Sequence, residues 1–175
     1  MRVIITGTPG TGKTAISKEL GGLLSLPVVD IKEIVHKNKI FSKNKHGEMI
    51  VDIAKLKRVL LKERRSCIID SHLVCEITLP ADFVFVLRTE PEELRKRLAK
   101  RGYSRKKVDE NVLCEMLDYC LLKSELNYRC RVLQLDTTGR TGLQSAKRIA
   151  MAIKNKKKRM DNVNHSKRLL KSLVS

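Results

Sequence analysis

Residues 7 to 14 read Gly-Thr-Pro-Gly-Thr-Gly-Lys-Thr, which fits G-x-x-x-x-G-K-[ST] at every position. The chemistry that this spacing serves is the cradling of a nucleotide polyphosphate. The glycines let successive backbone N–H groups turn inward around phosphate oxygens, where a side chain would block the approach. Lys13 is placed to reach the β- and γ-phosphates, and Thr14 to offer a hydroxyl to Mg²⁺. A helix that begins there turns its positive end toward the anion. A glycine-rich turn alone would not explain the Lys-Thr pair.

A second group is Cys67-Ile68-Ile69-Asp70-Ser71-His72, an apolar run that ends in an acid. Asp70 is the candidate for the second Mg²⁺ anchor. His72 can position a water or an acceptor phosphate, and a backbone partner that merely satisfies its ring is an equal reading. Next comes LRTEPEELRKRLAKRGYSRKKVDENVLCEML, in which Arg88 directly follows an apolar run and could reach a phosphate. Arg97, Arg101 and Arg105 recur every four residues into a stretch broken by Gly102. Arginines neutralise the charge that develops in phosphoryl transfer, and a mobile segment carrying them also excludes water. Spacing alone describes the same arginines as a charged solvent face.

These residues need elements to hold them. Val3 to Thr6, Pro27 to Asp30, Cys67 to Asp70, Phe83 to Leu87 and Val132 to Leu135 are apolar runs that predict five short strands. Runs without alternation suit strands covered on both faces, the parallel-sheet case. Helical spacing spans Lys13 to Leu24 and, roughly, 31–38, 51–64, 90–100, 109–128 and 141–155. Pro91 followed by Glu92 and Glu93 is a good helix start. The alternation predicts an open α/β sheet with crossover helices, whose ligands sit at the carboxyl ends of the strands. The glycine loop and Asp30, Asp70 and Asp136 all fall at such ends.

At 175 residues the chain suits one domain with one site. It has no apolar run near membrane-spanning length, so no membrane is expected. Met1 leads within two residues into the first strand, which leaves no room for a cleavable signal. A cytoplasmic setting is expected, or a nuclear one if the source is eukaryotic. Five cysteines, none in a C-x-x-C pair, read mostly as small hydrophobes in a reducing compartment.

The charge is unusual: 37 Lys and Arg against 19 Asp and Glu give +18. Polyanions such as RNA are natural partners of such a surface, and a salt-rich or hot cytoplasm that tolerates it is the alternative. Aromatic residues are only 3%, so RNA would be held through phosphates rather than stacked bases. After Ile153 the composition shifts to eight basic residues and one acid. This tail, with Leu169, Leu170 and Leu173 on one possible helical face, reads as a solvated arm or a helix that docks on a partner.

Three features together, TGTPGTGKT, IIDSH and FVLRT…RL..RGY..KK…EN…CE, resemble the adenylate-kinase-like P-loop ATPases of the isoenzyme-6 (Fap7-like) family. The resemblance covers roughly residues 1–155. It implies a three-layer P-loop NTPase fold with a central five-stranded parallel sheet, a small NMP-binding insert at about 30–53 and a short lid at about 100–110. The basic tail, 156–175, would stand apart. It implies transfer of phosphate between ATP and AMP to give two ADP, an ATPase activity, and a role in small ribosomal subunit biogenesis and rRNA processing. ATP contacts would be Gly10, Gly12, Lys13, Thr14, Ala15, Arg101 and Arg140. Lys13, Asp70, His72 and Arg101 would act in catalysis, with Thr14 and Asp70 on Mg²⁺.

The acceptor region is short and rich in lysine, and residues 32 to 65 hold eleven basic and four acidic side chains. A small-subunit ribosomal protein of the uS11 type is the implied protein partner, and since such a protein is itself basic, this charge is expected to face rRNA. An assembly factor with incidental kinase activity is the alternative. So is a P-loop kinase for another small acceptor, with Asp30 as base.

Overall fold

The structure is a computed structural model and describes residues 1–45, 47, 49–63, 65–166 and 168–170. The chain runs β1 (Arg2–Thr6), α1 (Lys13–Leu24), β2 (Val28–Val29), α2 (Ile31–Lys37), β3 (Phe41–Lys43), β4 (Met49–Val51), α3 (Ile53–Lys62) and β5 (Cys67–Asp70). A 3-10 turn (Leu73–Glu76) follows, then β6 (Phe83–Arg88), α4 (Pro91–Lys100), α5 (Arg105–Met116), α6 (Tyr119–Asn127), β7 (Val132–Asp136) and α7 (Gly142–Lys154).

The five apolar runs all become strands of one parallel sheet in the order β2-β5-β1-β6-β7. Because successive strand residues face opposite ways, the sheet has two dry faces. Val3, Ile5, Ile68, Phe85 and Leu87 pack against Ile16 and Leu20 of α1 and Ala146 and Ile149 of α7. Ile4, Cys67, Ile69 and Val84 pack against α2, α3 and the 3-10 turn through Ile31, Val35, Leu56, Leu60 and Val74. The three-layer α/β sheet is therefore the architecture. In register, Ile5 stands opposite both Asp70 and Phe85, so the end of β5 lies beside the start of the glycine loop.

Helices α4 and α5 form a pair with a small core of their own, Leu94, Leu98, Val108 and Val112 with Tyr103 against them. Glu90 caps α4 by accepting the N–H groups of Glu92 and Glu93, with Pro91 in the first turn. The single helix expected over 109–128 is two. Helix α5 starts earlier, capped by Ser104, and the chain breaks at Asp118, whose φ of 56° is left-handed. An aspartate tolerates that conformation, and here its carboxylate binds Arg88. The insert between α2 and α3 is an antiparallel hairpin, with Phe41 opposite Val51.

The described part of the tail is not a solvated arm. Met160 packs into the α1–α7 core, and Asp161 accepts two bonds from Arg148, at 2.9 and 2.7 Å. His165 is buried, while Leu170 is 63% exposed. Leu173 lies outside the described residues. Among the described residues no helix is long and apolar enough to cross a membrane.

Candidate active site

The glycine loop joins β1 to α1, with Gly10 and Gly12 at φ near 97° and 96°. Lys13 bends back along it, and its Nζ donates to the carbonyls of Gly7 at 2.7 Å and Thr8 at 3.0 Å. Helix α1 has Gly12 at its cap, no side-chain cap and no acid in its first turn. Its first N–H groups and positive dipole end therefore face the loop without a competing carboxylate. Burial pushes the Lys13 ammonium down to about 8, although Cys120, Asp70 and Glu115 all favour its charge.

Asp70 and His72 gather on this lysine. Burial raises the Asp70 carboxyl above its usual range and the Asp30 charge adds to this, while Ser17 and Lys13 oppose it. His72 is exposed, at the start of the 3-10 turn. Partial loss of solvation, followed by the Lys13 and Lys107 charges, lowers its imidazole from the ordinary 6.5 to about 4. It is thus neutral at physiological pH. The Cys75 thiol fixes the backbone here by donating to the His72 carbonyl at 3.0 Å.

A cleft of about 250 Å³ lies on the other flank of the loop. Its walls include Gly10, Gly12, Ala15, Arg97, Arg101 and Arg140. Every sequence-predicted ATP contact except Lys13 and Thr14 is among its lining residues. Arg97 donates to the Thr137 carbonyl at 3.0 Å and pairs with Glu93, and Arg140 donates to the Asp136 carbonyl at 3.2 Å. Of the arginines at four-residue spacing, Arg97 and Arg101 thus face the cleft, while Arg105 lines a surface depression with Asp109 and Leu113. A larger groove of about 1080 Å³ lies at the amino ends of the strands, away from the loop.

The reading of one residue changes. Arg88 does not reach toward a phosphate: it is 1% exposed, with Nε on Glu115 Oε1 at 2.7 Å and Nη2 on the Glu115 carbonyl at 3.0 Å. A charge this deep must be paired, and Glu115, the last residue of the quoted EN…CE motif but given no role there, supplies the partner. A second sequence signal for it is its place as an acid on the helix face that Val108 and Val112 bury. Burial would push the Glu115 carboxyl up, but His165, Arg88 and Thr8 together hold it below its usual range. Asp30 caps α2, its Oδ1 accepting from Lys32 and Glu33 at 2.8 and 3.0 Å.

Among the described residues no group of three His, Cys, Asp or Glu side chains could hold a metal by itself. The exposed Thr14 and half-buried Asp70 are an all-oxygen pair. Such a pair suits Mg²⁺ when phosphate oxygens and water supply its other positions.

A strand, a GKT loop and a helix within a parallel sheet of this order define a P-loop kinase-type protein. A family profile described as "AAA domain" matches residues 3–118. A protein of Methanocaldococcus jannaschii described as "Putative adenylate kinase" is 40% identical over 164 residues, 91% of this chain and 89% of that one. One of Thermococcus onnurineus with the same description is 37% identical over 169 residues, 95% and 92% of the two chains. The chain belongs to the P-loop adenylate-kinase-like family. Among solved structures it is similar in fold to a shikimate kinase from Acinetobacter baumannii, with TM-score 0.63, 18% identity, and 89% and 94% of the chains covered. It is similar also to a deoxyadenosine kinase from M. mycoides, with TM-score 0.59, 18% identity, and 90% and 100% covered.

Proposed function

We propose that this chain is an adenylate kinase of the isoenzyme-6 (Fap7-like) kind, moving a phosphoryl group from ATP to AMP to give two ADP, and hydrolysing ATP when water is the acceptor. The observation that carries the reading is the convergence on one loop of two groups: the arginine-lined cleft with Gly10, Gly12 and Ala15, and the Lys13, Asp70 and His72 cluster. ATP enters from the cleft side, with Arg101 and Arg140 around it and Lys13 on its terminal phosphates. Thr14 and Asp70 hold Mg²⁺, which supplies charge neutralisation when bound. His72, neutral and beside the lysine, orients the attacking water or the acceptor phosphate.

AMP is placed against residues 30–53, that is α2, the β3–β4 hairpin and the start of α3. The lid is the turn 100–110 between α4 and α5, and 1–155 forms the kinase domain. The acceptor assignment draws on the descriptions of the relatives. The test is coupled detection of ADP from ATP plus AMP, together with titration by two adenosines joined through five phosphates. AMP-dependent turnover and tight binding of that analogue are expected. Absence of AMP-dependent turnover with ATP binding intact counts against the kinase.

The charge favours a second reading, an ATP-driven factor in small-subunit ribosome assembly. Lys39, Lys43, Lys45, Arg58, Lys62 and Arg65 are all exposed, and none lines the cleft. In this reading rRNA binds that surface, a uS11-type protein is the protein partner, and the work is done in the cytoplasm or nucleus. ATPase activity should rise with rRNA or that protein and be lost in Asp70→Ala. RNA affinity should fall with salt, each neutralised phosphate adding about 0.7 to 0.9 to the logarithmic slope. A flat response to salt and to partner counts against it.

A further inference from the structure

After α7 the chain turns back at Lys156, in a left-handed conformation, and runs along the outer strand β7. Asp161 is the clamp. Its N–H donates to the Gln134 carbonyl at 3.1 Å, and its carboxylate accepts the Asp136 N–H at 2.8 Å as well as Arg148. Arg131 holds the Lys158 carbonyl at 3.0 Å, and Arg168 pairs with Glu90 at 2.6 Å. A lysine-rich segment is thus tied down by specific bonds, and it delivers His165 to a position 6% exposed.

His165 Nε2 lies 3.8 Å from Glu115 Oε1 and, among the described residues, has no hydrogen-bond partner of its own at ordinary geometry. The same carboxylate holds the phosphate loop from its other oxygen, since the Thr8 hydroxyl donates to Glu115 Oε2 at 2.5 Å. Thr8 matters to the loop because its carbonyl accepts both Lys13 Nζ and the Thr11 hydroxyl. Around Arg88 there are two carboxylates, Glu115 and Asp118, for one guanidinium. The imidazole nitrogen is the group that this surplus acid faces, at 3.8 Å.

We infer that His165, carried in by the C-terminal segment, is a positioning residue of the phosphate loop, acting through Glu115 on Thr8. This rests on the reading that the loop binds ATP. The segment counted by composition as a basic tail is then part of the support of the nucleotide site. The route runs from His165 to the Glu115 carboxylate, from that carboxylate to the Thr8 hydroxyl, and from the Thr8 carbonyl to Lys13.

The experiment measures the ATP dissociation constant of the full chain and of four variants. His165→Phe keeps the ring bulk without the donor, and His165→Gln restores a donor. Thr8→Val cuts the route at its far end, and the fourth variant combines His165→Phe with Thr8→Val. His165→Phe is expected to weaken ATP binding about fivefold or more, and His165→Gln to return it to within about twofold of the parent. The combined variant should bind no more weakly than Thr8→Val alone, because the two changes cut one route. Parental affinity in a folded His165→Phe, or single effects that multiply in the combined variant, overturns the inference.

Coupling between sites is reciprocal, so ATP should also slow backbone hydrogen exchange across residues 161–166 of the unaltered protein. ATP binding without that protection overturns the inference even if His165→Phe does not fold. A parent that binds no ATP overturns the nucleotide reading itself, which is a separate result.

Discussion

Gly10 lies so close to α4 that a Cβ on it would come within 2.7 Å of Leu94 Cδ1 and 3.0 Å of Leu98 Cδ2. Helix α4, which carries Arg97 and is closed by Arg101 at its C-cap, is therefore the back wall of the phosphate loop, and its two leucines set the distance between arginines and glycines. Gly10→Ala meets this wall and also a φ of 97°, which an L side chain rarely adopts. A small-to-large change of this kind costs about 1–3 kcal/mol. Denaturant unfolding should show that loss, and ATP affinity should fall about tenfold or more as the loop shifts. Parental affinity in the variant would mean that α4 yields and does not set the loop.

Lys13 makes the ATP affinity depend on pH on the alkaline side. Its ammonium titrates at about 8 in the folded protein, against 10.5 ordinarily. Bound phosphates favour the charged form, so above pH 8 binding takes up a proton and affinity falls, by at most about tenfold per pH unit. The stability effect has the opposite sense. Between 8 and 10.5 the unfolded chain holds the proton and the folded one does not, so this group's contribution to stability rises with pH across that window. Calorimetry in two buffers of different ionisation enthalpy should register the proton uptake at pH 8.5. Lys13→Met should abolish it along with most of the affinity.

Arg88 and Glu115 are predicted to govern stability rather than contact with nucleotide. Arg88→Met leaves a buried carboxylate whose remaining donors are Thr8, the Thr89 N–H and the nearby His165. Breaking one side of such a pair costs about 3–5 kcal/mol. Adding Glu115→Gln to Arg88→Met should recover part of the loss, because the unpaired charge is removed. Urea midpoints of the single and double variants decide this. A double variant no more stable than Arg88→Met would show that the buried charge is not the cause.

What could be read from the chain in advance was local chemistry. The GKT loop and the five strands are contiguous patterns, and the run Cys67 to Asp70 carries its acid within its own sequence. The residues misread or missed depend on partners far along the chain. Arg88 follows a strand as a phosphate-reaching arginine would, yet its partner is 27 residues away on a helix. The long helix over 109–128 is broken because Asp118 turns to that same arginine. The hairpin at Phe41–Lys43 and Met49–Val51 lacks a buried face to make it legible, since most of its side chains are exposed. The tail reads as a solvated arm or a helix for a partner because lysine is its commonest residue, and the side chains that dock it, Met160, Asp161, His165 and Arg168, are scattered among them.

His72 tests the site from the acid side. An ordinary histidine beside a phosphate site would titrate near 6.5 and put a break in the rate profile there. Here partial loss of solvation, with the charges of Lys13 and Lys107, holds the imidazole at about 4, so it carries no proton across the working range. The rate of ATP turnover in the parent should therefore show no His72-dependent step between pH 5.5 and 7.5, a window about one unit either side of 6.5. Stability behaves differently: between 6.5 and 4 the unfolded chain takes up a proton that the folded chain refuses, so acid costs stability in that window. His72→Ala removes this part of the acid sensitivity, while turnover falls about tenfold to a hundredfold through loss of the orienting group. The deciding comparison is the pH–rate profile of parent and variant, side by side. A break near 6.5 in the parent that disappears in His72→Ala would show that the imidazole is charged during turnover, and the role of a neutral acceptor of hydrogen bonds would have to be given up.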